Sequence, residues 1–248
     1  MRPANEPFIA HRPGRKTRGY TLPVSRGYFS GVNALKNARA ESFWFASLLT
    51  LTGGFLDAYT FCCRDGVFSN AQTGNIVQVG IALSRGDLHG IVRYFIPIVA
   101  FTCGVLLAMY IRDRSRGPIE LWQRRILLME IAVAAAVSFI PSGHMLNIAA
   151  NVMISFLCAL QYEAFRKVSG KAFASTMCTG NLRSGSECLY QAIAGGDRAK
   201  RRDAAHYFGI ILVFIAGAAI GVLVTNLLSE AAVFAAVLPL AVAFVCLR

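Results

Sequence analysis

Two short stretches invite a chemical reading. Residues 71–80 are AQTGNIVQVG and residues 177–186 are MCTGNLRSGS, so Thr73-Gly74-Asn75 returns 106 positions later as Thr179-Gly180-Asn181. Thr, Gly and Asn are weak inside helices, while Thr and Asn are favoured where helices begin. Each triplet interrupts an otherwise apolar, helix-like run. Gly74 and Gly180 permit a sharp turn or a close backbone approach. Thr73, Asn75, Thr179 and Asn181 supply side chains that cap free backbone groups at a break. If each break starts a half-helix, its unpaired N–H groups and positive dipole end favour an anion or a polar solute and oppose free cations. The alternative is that the triplets let two helices pack closely and hydrogen-bond.

An acid accompanies each copy. Asp57, in GGFLDAYTF, precedes Thr73 by 16 positions, and Glu163 precedes Thr179 by the same distance. A carboxylate inside an apolar run is a functional candidate. Asp57 either binds a proton or cation during coupling, or is held by Asn75, Arg64 or a neighbouring helix. Glu163 has Arg166 and Lys167 at i+3 and i+4, the pattern of an interfacial pairing. Arg183 either meets an anion as a selectivity charge or pairs with Glu187 one turn on. Gly217 and Gly221 make a Gly-x-x-x-Gly face suited to helix packing. The cysteines form no Cys-x-x-Cys pair and read as small buried residues. No cofactor or metal is expected. The chain is also expected not to be an enzyme, because it lacks His-Glu-x-x-His, Gly-x-Ser-x-Gly and clustered histidines.

The elements that position these residues follow from composition. The chain has 248 residues, 55% hydrophobic and 15% charged, with a mean hydropathy of +0.51. Soluble domains carry roughly 25% charged residues. Apolar runs at about 43–63, 93–111, 124–140, 145–163, 205–228 and 231–247 approach the ~20 residues of a membrane-crossing helix. Two weaker runs, about 67–84 and 172–194, hold the triplets. The duplication extends past them. Gly86-Asp87 matches Gly196-Asp197, then Tyr94-Phe95, Phe101 and Gly104 match Tyr207-Phe208, Phe214 and Gly217, now 113 positions on.

Charge chooses between two arrangements. Lys and Arg concentrate in cytoplasmic loops. If all eight runs cross, the arginine-rich stretch at 112–125 faces outward. If the two triplet segments enter and return on the same side, thirteen Lys/Arg of the loops and C-terminus fall inside and only Arg64, Arg85 and Arg93 outside. The expected fold is therefore an all-α transmembrane bundle of six crossing helices with two non-spanning segments. Each half crosses an odd number of times, so the second half is inverted relative to the first. Residues 1–41 form a disordered basic cytoplasmic tail, and 42–248 one transmembrane domain with halves at about 42–140 and 145–247. The tail suits topogenic retention or docking to anionic lipid, and shows no pattern for nucleic acid. Ser69, Asn70, Gln72 and Gln78 in the first segment, and Ser175, Thr176, Arg183, Ser184, Ser186 and Glu187 in the second, are costly against lipid. Both segments are therefore expected to be wrapped by the six long helices.

The motifs carry a resemblance. GGFLDAYTF, VFSNAQTGN and ALQYEAFRKVSGKAFASTMCTGN resemble the YoaK-like bacterial membrane proteins, a domain of unknown function with about six predicted transmembrane helices. The match covers roughly residues 42–247 and departs in the long tail and in Tyr162-Glu163. It implies a multi-pass protein of the bacterial inner membrane and no particular activity. The functional expectation is a transporter or channel for a small polar or anionic solute. Its pathway residues would be Asp57, Thr73, Gly74, Asn75, Thr179, Gly180, Asn181 and Arg183. A non-transporting scaffold is the alternative, and a membrane-embedded enzyme the third class.

Overall fold

The computed structural model describes residues 42–114, 118–165, 167–168, 171–172 and 178–247. The basic tail expected over 1–41 lies outside the described residues. Helix α1 (Phe43–Cys63) is capped by Ser42, whose hydroxyl accepts from the Phe45 N–H at 3.2 Å. It ends where Asp65 and Gly66 take left-handed φ angles of 63° and 72° and turn the chain back. Helix α2 (Gln72–Ser84) starts inside the first triplet motif and stops before Gly86, at φ 67°. Asp87 then accepts from the Gly90 N–H at 2.9 Å and starts α3 (Leu88–Arg114). Helix α4 (Ile119–Val137) follows Pro118, and α5 is His144–Ala164.

A two-residue antiparallel pairing, Lys167–Val168 with Lys171–Ala172, separates α5 from α6 (Cys178–Gly195). Gly196 is left-handed at φ 64°, and Asp197 accepts from the Ala199 N–H at 2.8 Å to start α7 (Arg198–Leu228). A 3-10 segment, Ser229–Ala236, leads into α8 (Val237–Cys246). The fold is all-helical apart from that short pairing, among the described residues.

Among the described residues, three helical stretches are long and apolar enough to cross a membrane by length and composition: Leu88–Arg114, His144–Ala164 and Arg198–Cys246. The last does not run straight. Phe43, at the start of α1, stacks on His206 near the start of α7. Tyr59, near the end of α1, donates to the Glu230 carbonyl at 3.0 Å. Leu247 packs with Phe45 and Phe165, back at the first end. The chain therefore reverses at Ser229, whose φ of 49° is left-handed.

Helices α1, α4, α5 and the 3-10/α8 segment enclose the core, which has two apolar clusters stacked along the bundle. One joins Phe45, Trp122, Leu127, Leu160 and Leu240; the other joins Phe55, Tyr59, Val137, Ile154 and Val233. Helix α3 packs on α5, and α7 packs on α1. Glycine allows both approaches. A Cβ on Gly217 or Gly54 would run into the backbone carbonyl of Leu51 or Phe214, and one on Gly104 would lie 2.6 Å from the Phe156 carbonyl. The Gly-x-x-x-Gly face of α7 is thus a packing face, as its spacing suggests.

The triplet helices correct one expectation. They are not wrapped by the long helices. Helix α2 lies on α3 and α6 on α7, at the flanks. Each leaves a face uncovered by protein: Ile76, Val77 and Leu83 on α2, and Leu182, Tyr190 and Ile193 on α6. In α2 the polar Asn75 turns inward while the apolar Ile76, Val77 and Leu83 point out. The cysteines also differ from expectation. Only Cys158 is buried by protein; Cys62, Cys103 and Cys246 are exposed on apolar helices.

Candidate functional site

Gly53-Gly54-Phe55-Leu56-Asp57 forms the floor of the first break. Gly54 lets α7 lie against α1, and the Gly53 carbonyl accepts from Asn70 Nδ2 at 3.2 Å. Gly53 is 11 residues from Arg64, so Asn70 is inserted about 16 Å below the end of a helix about 32 Å long, at mid-depth. Asp57 is buried at 4% exposure. One of its oxygens accepts from the Asn70 N–H at 2.7 Å and from Ser69 Oγ at 3.1 Å. The carboxylate therefore lies just ahead of the start of α2, where the Gln72 N–H is given to the Asn70 carbonyl at 2.8 Å and the Gly74 N–H to the Ala71 carbonyl at 2.9 Å. Neither Asn75 nor Arg64, the partners expected from sequence, is bonded to it.

Asn75 holds the break itself. Its Oδ1 accepts from the Phe68 N–H at 3.0 Å, and its Nδ2 donates to the Phe68 carbonyl at 2.7 Å and to Gln72 Oε1 at 2.9 Å. One amide thus satisfies both backbone groups of a non-helical residue, as buried irregular chain requires. The Phe68 ring stacks on Phe61, with centroids 4.7 Å apart, and lies over Gly74, where a Cβ would come within 2.8 Å of it. Gly74 is therefore small because an aromatic ring covers it. Thr73 is exposed and makes no cap.

The second copy has a different setting. Asn181 is buried, at 3% exposure, whereas Thr179 and Gly180 are exposed. Ser175 and Thr176 lie outside the described residues. Cys178, at the start of α6, is within electrostatic range of Asp57, so the starts of α2 and α6 converge on one region of α1. Arg183 is on the exposed face of α6, paired with Glu187 at 2.9 Å. Glu163 is not the counterpart of Asp57. It sits in the last turn of α5 and pairs with Arg112 at 3.4 Å, at the bundle end. The connection after α5, 165–177, is longer than that after α1, 64–71, so equal spacing from the triplets puts the two acids at different positions in their helices.

Arg64 is fully buried and organises the opposite end of the bundle. Its guanidinium donates to Tyr59 Oη, Asn147 Oδ1 and the carbonyls of Val137, Ile140 and Pro141. It closes the end of α4, whose last carbonyls lack helical partners. Asn151 Nδ2 donates to the Arg64 carbonyl at 2.8 Å. Sequence reading placed Arg64 in a loop. Its helix-terminal position beside Asp65-Gly66 was visible, but apart from Tyr59 its partners come from 73 or more residues away.

Glu130 was also missed. It lies in the middle of α4 at 6% exposure and accepts from Gln161 Nε2 at 2.8 Å. The signal was present: an acid inside an apolar run, the same one that singled out Asp57.

An all-helical bundle with apolar outer faces and a polar break held at mid-depth defines a membrane protein. The family model "Protein of unknown function (DUF1275)" matches residues 45–246. The chain belongs to that family. It is also 28% identical over 144 residues to the UPF0700 transmembrane protein YoaK of Bacillus subtilis (strain 168), covering 56% of this chain. The aligned part spans 63% of that relative's length. No solved structure matches.

Proposed function

We propose that the protein is a carrier for a small polar or anionic solute in the bacterial inner membrane. In this reading six helices cross: α1, α3, α4, α5, α7 and the 3-10/α8 segment. Helices α2 and α6 enter from opposite sides and go part-way. The observation that carries the reading is the buried Asp57 carboxylate lying against the start of a 13-residue helix at mid-depth, with the start of α6 nearby. Broken helices of this kind present free N–H groups to substrates in many carriers. Asp57 occupies the acceptor position that an anionic solute would take on the Asn70 N–H. Loading the solute displaces that carboxylate. Asn75 keeps the break open, and Thr73, Gly74, Thr179, Gly180 and Asn181 line the approach. Arg183 attracts the anion at the outer flank.

The two halves are proposed to be an inverted repeat. Helices α1 and α5 support this: both have 21 residues and end with nearly the same backbone angles, φ −126° and ψ 56° at Arg64 against φ −123° and ψ 54° at Phe165. Gly86-Asp87 and Gly196-Asp197 play the same turn-and-cap role. The helix pairings also exchange under a swap of halves. α1 on α7 answers α5 on α3, α2 on α3 answers α6 on α7, and α1 on α8 answers α5 on α4. Both termini are proposed to be cytoplasmic, with the tail retained there by anionic lipid. The reading assigns the chain no catalytic step.

Solute flux into liposomes containing the purified protein tests the proposal. The expected result is uptake of at least one class in a panel of small anions, amino acids and polyols. Asp57→Asn removes the competing charge and keeps an acceptor, so it should tighten the apparent affinity for an anion about tenfold, or roughly 1.4 kcal/mol. No flux above empty vesicles across the panel would overturn the proposal. That result would favour a membrane scaffold, the alternative reading.

A further inference from the structure

We propose that Glu130 is a proton-binding site, a neutral carboxylic acid sharing its cavity with one water molecule through which its proton exchanges. The acid sits where α4 faces α5. Its Oε2 accepts from Gln161 Nε2 at 2.8 Å, while Oε1 is buried without a hydrogen bond. Both residues line a cavity of about 20 Å³ closed by Leu56, Ile154, Cys158 and Leu240. A single water needs roughly 10–15 Å³ and polar partners. The volume therefore suits one water, and the wall offers it an oxygen that otherwise has no partner.

The charged and titratable groups around the site decide its protonation. From α5 come the neutral Gln161 amide and the Cys158 thiol, and from α8 and the 3-10 segment only Leu240 and Val233. Asp57 of α1 lies beyond Cys158 and is engaged by Ser69 and Asn70. Arg124, on α4 itself, places its guanidinium over the Phe244 ring at 4.7 Å, and Arg112 pairs with Glu163 at the bundle end. Among the described residues no cation is bonded to Glu130. A bare carboxylate in such a place costs several kcal/mol, and a group so placed takes up a proton instead. A neutral acid meets the geometry: Oε2 accepts from the amide, and Oε1–H donates to the water. On uptake an O–H bond forms at Oε1 as one breaks on a protonated cavity water; release reverses this. The site stands whether or not the chain moves a solute.

Infrared difference spectra of the full-length protein in lipid nanodiscs test this, comparing wild type with Glu130→Gln at neutral pH in H₂O and D₂O. The expected result is one protonated-carboxyl C=O band that shifts in D₂O, is lost in Glu130→Gln and survives in Asp57→Asn. If Glu130→Gln does not fold, Glu130→Asp keeps the acid on a shorter stem, and the band should move in frequency. A wild-type spectrum without the band, a band unchanged by either Glu130 substitution, or a melting temperature raised by sodium in wild type but not in Glu130→Gln would each overturn the proposal. The sodium result would reassign the cavity to a metal cation.

Discussion

Arg64 engages five acceptors with its guanidinium, and no carboxylate is among them. That makes it a helix-end clamp rather than an ion-pair partner. Arg64→Ala takes the guanidinium donor from the carbonyls of Ile140 and Pro141 and from Asn147 Oδ1, while Val137 keeps the Ile140 N–H, and unpaired buried groups are costly. The expected loss is about 3 kcal/mol of stability, read from thermal unfolding in detergent. Arg64→Lys recovers only part of it, because an ammonium cannot reproduce the planar fork. Asn75→Ala is a second residue-scale test. It strips both backbone partners from Phe68 and should cost about 2 kcal/mol. An unchanged melting temperature for Asn75→Ala would show that the break is not held by that amide.

At the scale of elements, glycine positions separate packing from turning. Gly217 brings α7 onto α1 so closely that a Cβ has no room beside the Leu51 carbonyl. Gly217→Ala should therefore destabilise by about 2 kcal/mol, through overpacking. Gly80, inside α2, faces open space among the described residues. Gly80→Ala should instead stabilise the protein by about 0.5–1 kcal/mol, from helix propensity alone. Opposite signs in the two melting curves are the outcome to look for. The same two-helix logic explains why α2 can lie at the flank. A helix of 13 residues is about 20 Å long, too short to cross the ~30 Å hydrocarbon core, and its polar start is covered by its own preceding loop.

For the whole molecule, charge divides between the two ends of the bundle. The end holding the α3–α4 connection and the start of α7 has Arg112, Arg114, Arg124, Arg125, Arg198, Lys200, Arg201 and Arg202. The other end has Arg64 and Arg85, and Arg93 lies in the first turns of α3 at that end. In the proposed topology the first end is the cytoplasmic one, as the positive-inside tendency favours. In a cysteine-free background, Lys200→Cys should react with a membrane-impermeant thiol reagent only after the cells are opened. Ser142→Cys should react in intact cells. The reverse labelling would turn the molecule over and remove the support for a cytoplasmic tail.

Much of this could be read before any coordinates. The apolar runs marked the long helices, because a chain that must satisfy its backbone internally has few alternatives in lipid. Gly86-Asp87 and Gly196-Asp197 stood out in the sequence only as matching positions, and in the structure each is a left-handed residue followed by an N-cap acceptor. The triplets lie at helix starts, but the start of α2 has Ala71 at its N-cap with no side-chain cap, so Asn75 acts there by holding Phe68 rather than by capping. What stayed hidden depends on residues far apart in sequence. Asn75 and Arg64 were expected to hold Asp57, whereas Ser69 and Asn70 do, and most of the partners of Arg64 lie in distant segments. Glu130 carried the right signal, but no local rule ranks one buried acid above another. The register of Glu163 against Asp57 was misleading because the connection after α5 is longer, and spacing measured from a triplet says nothing about depth in a preceding helix. Sequence by itself determined that the apolar segments are helices, while five of their starts, at Gln72, Leu88, Ile119, Cys178 and Arg198, differ by five to seven residues from the apolar runs. Only the tertiary structure decided that the triplet helices lie at the flanks, and which acid meets a helix start, because those outcomes depend on packing between distant segments rather than on local propensity.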